Sequence, residues 1–203
     1  MPTPPVLKIG VWESGEFIGS VLFSRGANNN LGKPYGLGPI EVCELTRVAL
    51  AAHEAPVSRI VAQALRMLRT KESGLRLVVS FADENHDHVG TIYQAGGWVY
   101  TGRSKSNPKY ITRQGQVLHQ RQVSKVGWKR QYGEMQRVPR FDECQVIPQL
   151  DKYRYLMPLD DAMRAQIEPL RKPYPKRPKQ ASDAVQASCG GAAPTRTLQA
   201  DAP

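Results

Sequence analysis

The stretch LVVSFADENHDHVGTIYQAGGW, residues 77–98, constrains the fold of this chain more than any other. Leu75, Leu77, Val78, Val79 and Phe81 form a short, mostly apolar run, β-branched at its centre, as expected for a central strand covered on both faces. The run stops at Ala82, Asp83, Glu84 and Asn85. Asp83 or Asn85 is placed to cap a following helix, which buries Val89, Ile92 and Tyr93 and ends at Gly96 and Gly97, where a left-handed cap costs little. Upstream, ELTRVAL at 44–50 reads as a strand and PVSRIVAQALRML at 56–68 as a helix. In that helix Val57, Ile60, Val61, Ala64, Leu65 and Leu68 recur at three-and-four spacing, while Arg59, Gln63 and Arg66 fall on the other face. Pro56 suits its first turn. A helix crossing between two strands implies a parallel pair, and ligands of such sheets sit beyond the carboxyl ends of the strands. Arg47, Ser58, Ser80 and Asp83 therefore gather at the expected opening.

The flanks are readable in outline. KIGVWESGEFIGSVLF alternates around Ser14 and Gly15 and reads as a β-hairpin opening the sheet. SRGANNNLGKPYGLGPI is then a long loop, of a length more often functional than idle. Its one large side chain, Tyr35, is a base-stacking residue or a packing anchor. KYITRQGQVLHQRQV reads as a second hairpin turning at Gln114 and Gly115, and KYRYLMPLDDAMRAQIEPLRK as a last strand, turn and short helix. Residues 1–170 are expected to form one catalytic domain that includes a basic hairpin region at 103–140. The Pro-, Ala- and Lys-rich segment 171–203 lacks the apolar surface to fold and reads as a disordered tail.

Charge points to a partner. Twenty-eight basic residues oppose 18 acidic ones, a formal net charge of +10. Between Arg103 and Arg140 ten Lys or Arg face a single acid, Glu134, the electrostatic footprint of a protein that meets a polyanion, most commonly nucleic acid. Within it, Trp128 and Tyr132 stand among Lys125, Lys129 and Arg130, a mixture suited to stacking on bases and contacting phosphates; Trp128 is equally read as a core residue. Phosphate contacts position without specifying sequence, so this region would hold DNA rather than choose a site. No stretch approaches the roughly 18 to 20 apolar residues of a membrane span, and MPTPPVLKIG has no signal-peptide core, so a cytoplasmic protein is expected. Cys43, Cys144 and Cys189 lack the spacing of a disulfide framework or thiolate zinc site, and Cys43 reads as a small core residue. Asp83, His86, Asp87 and His88 crowd one strand end, and two histidines with a carboxylate could hold iron as a facial triad, provided the segment is a loop that lets His86 and His88 converge.

The order strand, loop, helix, strand, then a helix carrying TIYQAGGW and a Gly-bounded strand, resembles the GNAT acyltransferase fold. More narrowly, SFADENHDHVGTIYQAGGWVYTG, the Leu-x-Arg of ELTRVAL and a serine at the next helix start resemble the Mom family of phage DNA-modification proteins, over roughly residues 5 to 160. The resemblance implies an α/β (α+β) fold: a central mixed sheet with a splayed parallel strand pair flanked by helices, extended by the basic hairpin. It implies a transferase placing a carbamoylmethyl-type group on adenine N6 of double-stranded phage DNA in the host cytoplasm, an anti-restriction activity, and it allows a homodimer. It implies Asp83, Tyr93 and Ser58 as catalytic residues, and Arg47, Leu45, Val48 and Ser80 as donor-binding. DNA contacts fall to His88, Tyr35, Lys125, Trp128, Lys129 and Arg130, and Asp83, His86 and His88 are the metal candidates. A phenol at position 93 suits an acid for the leaving group, since a pKa near 10 keeps it protonated. One departure matters. GNAT enzymes cradle the pyrophosphate of acyl-CoA on a Gly-rich loop before the first helix, whereas no glycine occurs here from Pro39 to Ser73, and Glu54 adds a repelling charge. The donor is left open, acyl-CoA included. Two other readings stand beside this one: a conventional acetyltransferase acting on an amine, and a non-catalytic DNA-binding module on the same scaffold.

Overall fold

The computed structural model describes residues 5–26, 29–131 and 133–176. Tyr132, Cys189 and the tail reading for 177–203 lie outside the described residues. In chain order the elements are β1 (Pro5–Glu13), β2 (Glu16–Ser24), β3 (Val42–Leu50), α1 (Val57–Lys71), β4 (Leu77–Asp83), α2 (Thr91–Ala95), β5 (Val99–Ser104), β6 (Lys109–Ile111), β7 (Val117–His119), β8 (Trp128–Gln131), β9 (Glu134–Arg137), β10 (Gln145–Ile147), β11 (Lys152–Pro158) and α3 (Asp161–Ile167).

Six strands form one mixed sheet in the order β1-β2-β3-β4-β11-β5. β1 and β2 are a hairpin turning on Ser14 and Gly15, both at positive φ, a turn that matches the twist of the strands it joins. β3 and β4 are parallel, joined by α1 as the sequence periods require. β11 returns last and inserts antiparallel between β4 and β5. The fold is thus α+β, mostly strands, with a parallel pair at its centre.

Both faces of β4 are covered. On one face α1 lays Val61, Ala64, Leu65 and Leu68 against Val78, Ala82, Phe23 and Leu45, with Val57 and Ile60 packed at the edge. On the other, Leu77 and Val79 meet Leu156, Val99, and Met163 and Ile167 of α3. A large apolar side chain fully buried here contributes about 1.5–3 kcal/mol relative to exposure, which fixes α1 and α3 as lids over opposite faces of one sheet.

The segment after β4 differs from the expected helix. Asp83 caps a single 3-10 turn, Glu84–His86, by accepting from the Asn85 amide. Asp87 then takes a left-handed conformation, Gly90 a second one, and the helix proper, α2, has five residues. The cause is Gly90. A Cβ there would stand 2.4–2.9 Å from the Tyr155 ring, so the chain passes too close to that ring to continue a helix built from ordinary residues. Val89 and Tyr93 are nonetheless buried and Ile92 half-buried.

Residues 105–150 build a smaller lobe. β10, β6 and β7 form a three-stranded sheet around Tyr110, Leu118 and Val123. β6 and β7 are the expected hairpin at Gln114 and Gly115. The next stretch forms a further ribbon, β8 with β9, that the alternation in WKRQ and EMQR did not betray. No helix of the described residues is long and apolar enough to cross a membrane.

Candidate functional site

β3 and β4 pair only at Val42–Leu77, Cys43–Val78 and Glu44–Val79. Beyond those rungs both strands continue and separate, leaving a cleft of about 730 Å³. Two local devices shape the fork. Leu22 of β2 pairs with Arg47 and Phe23 with Leu45, so Thr46 is a bulge, and its hydroxyl donates to the Leu22 carbonyl at 3.1 Å. The extra residue shifts the alternation. Leu45 and Val48 therefore both pack on the α1 side, while Arg47 is exposed on the cleft wall.

Ser80 is the first β4 residue past the last rung and is wholly buried. Its Oγ lies 3.0 Å from the Leu45 carbonyl and 2.7 Å from the Tyr93 Oη. A carbonyl only accepts and a serine hydroxyl has one proton, so Ser80 donates to Leu45 and accepts from Tyr93. This side chain thus replaces the first missing ladder bond and fixes the phenol at the apex of the fork. Tyr93 is walled by Trp98 and Tyr155, each ring 5.1 Å away. Burial pushes its phenol above the ordinary value, which keeps it protonated.

Asp83 ends β4 on the cleft wall, and its carboxylate is committed. It accepts from the side chain and backbone of Asn85 at 2.7 and 3.1 Å and pairs with Lys152 at 3.0 Å, its direct partner in the β4–β11 ladder. Desolvation acts upward on its pKa, but these hydrogen bonds outweigh it and hold the group at about 2. A carboxylate so acidic is a poor general base at neutral pH, and the role its contacts show is that of a cap and a fixed wall.

The remaining expected residues divide. Arg47, Leu45, Val48, Asp83, His86, His88 and Tyr93 all line the cleft. Arg47 has no ion pair among the described residues. Ser58 is a correction: it lies in the first turn of α1, caps nothing, and is not part of the cleft wall. Tyr35 is another. At 5% exposure it is packed among Leu37, Val42 and Met163, so it anchors the long loop and offers no face to a base. His86 and His88 are exposed with ring centroids 6.3 Å apart, and among the described residues no three His, Cys, Asp or Glu side chains converge on a metal position. Asp83, the third candidate, is held by Lys152. Cys43 is fully buried and its thiol is pushed up to about 12 by desolvation, the core residue expected and no nucleophile.

The loop before α1 carries a feature the sequence did not reveal. The Glu54 and Ala55 amides, in the loop just before α1, donate to the Glu13 carboxylate at 2.8 and 2.9 Å. The two bonds hold Glu13 below the ordinary carboxylate value. An internal anion thus occupies two backbone donors of the loop that leads into α1.

In the smaller lobe, Lys125 and Arg130 are exposed, and Trp128, at 49% exposure, is a surface aromatic rather than a core one. Lys129 donates to the Arg121 carbonyl at 2.5 Å, tying the β8–β9 ribbon to its lobe. Of the ten cations between Arg103 and Arg140, Arg103 pairs with Glu84 and Arg140 with Asp142; Lys105, Lys109, Lys125 and Arg130 are in no salt bridge among the described residues.

The fold and site together are those of a strand-fork cleft flanked by a cationic lobe, a class suited to work on a polyanionic substrate. The chain belongs to the Mom protein family, whose model matches residues 1–176. It is thereby a phage DNA-modification protein with DNA as its substrate. No curated protein matches it.

Proposed function

We propose that this protein is a DNA adenine N6 transferase that places a carbamoylmethyl-type group on phage DNA and so withdraws that DNA from host restriction in the host cytoplasm. The observation that carries the reading is the fork: a parallel pair that stops pairing after Glu44 and Val79, with a protonated phenol at its apex and cations along its outer lobe. In the reaction the adenine N6 forms a bond to the donor's methylene carbon, the bond from that carbon to its leaving atom breaks, and N6 releases one proton to water in the open cleft. Tyr93 protonates the leaving atom, turning its O–H from Ser80 toward the cleft, and regains a proton from solvent. Arg47 supplies a fixed charge to the donor. Lys152 and Asp83 hold the far wall, and the lobe bearing Lys125, Trp128, Lys129 and Arg130 grips the duplex.

The bonds from Glu54 and Ala55 to Glu13 argue against a donor whose pyrophosphate rests on this loop, and so against the conventional acyl-CoA reading. Mass spectrometry of nucleosides from plasmid DNA of cells expressing the protein tests the proposal. A new adenosine adduct, absent with Tyr93→Phe, supports it and its mass identifies the group. Unmodified adenosine from cells with abundant folded protein sinks it and leaves a binding module.

A further inference from the structure

A second pocket, of about 300 Å³, adjoins the strand fork, between the end of β4, the start of β11 and the β6–β7 hairpin. Glu44, Phe81, Asp83 and Lys152 line both spaces, so the pocket opens onto the cleft through a common wall. Its chemistry is graded. Phe81 and Leu31, only partly buried, give it an apolar side. Lys105 and Lys109 stand on its rim, exposed and without a carboxylate partner among the described residues, whereas Lys152 is already neutralised by Asp83. Between them lie the amide of Asn107 and Ser106, whose buried hydroxyl has no hydrogen-bond partner, an arrangement that is unfavourable unless a polar group fills it.

An aromatic face, unpaired polar groups and two free cations in a space of this size match one nucleotide: base on Phe81, edge toward Ser106 and Asn107, phosphate on Lys105 and Lys109. The space is too small for a base pair still stacked in a duplex. We infer that this pocket receives a single purine nucleotide swung out of double-stranded DNA and presents its exocyclic amine to the fork. The inference rests on the reading of duplex DNA as substrate and assigns the acceptor to a site apart from the donor's.

Two duplexes of equal length test it, one fully paired and one carrying a single 2-aminopurine opposite an abasic position. Unpairing a base costs a few kcal/mol, so sparing that cost should make the protein bind the second duplex at least about tenfold more tightly. Lys105→Ala with Lys109→Ala, and separately Phe81→Leu, should bring the ratio of the two affinities to within about twofold. A preference unchanged in both variants overturns the assignment of this pocket. Equal binding of both duplexes by the unaltered protein overturns nucleotide capture while DNA binding stands. Binding of neither duplex overturns the DNA reading itself.

Discussion

Gly90→Ala isolates the contact that shapes the wall of the fork. Gly90 has φ +80, and a Cβ there would meet three atoms of the Tyr155 ring at 2.4–2.9 Å. Tyr155 cannot step aside: it is fully buried, its hydroxyl donates to the Val89 carbonyl and accepts from Gln94 at 3.1 Å, and Tyr93 and Tyr100 pack against its ring at 5.1 and 5.4 Å. The left-handed backbone costs about 1–2 kcal/mol for a residue with a Cβ, and overpacking adds about 1–3 kcal/mol. The total is about 2–5 kcal/mol. Gly97→Ala supplies the control, because Gly97 has φ +70 and nothing within 4 Å of its Cβ position; it carries the backbone cost alone. Guanidinium unfolding followed by tryptophan fluorescence should therefore show Gly90→Ala less stable than Gly97→Ala by about 1–3 kcal/mol, with similar m-values. If the two variants unfold at the same midpoint, Gly90 is not wedged against Tyr155 and the account of the broken helix is wrong.

Three further outcomes are expected. Asp83→Asn keeps the cap but loses the charge paired with Lys152. A carboxylate held near 2 instead of its ordinary 3.8 contributes stability present above pH 4 and lost as pH falls through 2; discounted for solvent reaching Lys152, that is about 1 kcal/mol. Urea midpoints should show this deficit at pH 7 and a shrinking one below pH 4, while adenine modification persists; abolished modification in a folded Asp83→Asn would restore the carboxylate as a catalytic group. Tyr93→Phe should remove modification while costing about 1 kcal/mol for one buried hydrogen bond, and full activity would take the phenol out of the chemistry. Lys129→Ala with Arg130→Ala should lower the slope of log affinity for duplex DNA against log salt by roughly one to two, and an unaltered slope would remove the β8–β9 ribbon from the interface.

What the sequence made legible is local. Periods of two and of three to four gave the first hairpin, β3, α1 and β4, and the polar ends of those elements gave the fork. The face of α1 was complete because Val61, Ala64, Leu65 and Leu68 meet a single sheet. The failures come from contacts distant in the chain. Nothing near Gly90 signals that Tyr155 lies against it, so TIYQA and the residues before it read as one helix. Nothing near Asp83 signals Lys152, because β11 enters the sheet last, between strands formed much earlier in the chain. Tyr35 in its glycine-rich loop read equally as a base stacker and as a packing anchor; the α3 residues that decide for the anchor lie more than a hundred positions away, as the 2.8 Å bond from Gln166 to the Tyr35 carbonyl records. Ser58 followed helix-start logic, yet the cleft wall is built from β3, β4 and the segment before α2, and Ser58 is not part of it.

Glu13 links these observations to the choice of donor. Free amides at a helix start attract an anion, and a protein that binds a pyrophosphate there must keep them vacant. This chain sets a carboxylate from the first hairpin, 41 and 42 positions away, on the two loop amides just ahead of that helix start, so an approaching anion meets a like charge there. The absence of glycine from Pro39 to Ser73 follows naturally, since a short loop that only has to meet a side-chain carboxylate needs no close backbone approach. Under the proposed function, donor recognition falls to the polar groups lining the cleft, Arg47 above all. Those groups suit a small anionic or polar donor held between the parted strands, near the phenol, rather than a long coenzyme anchored at the helix.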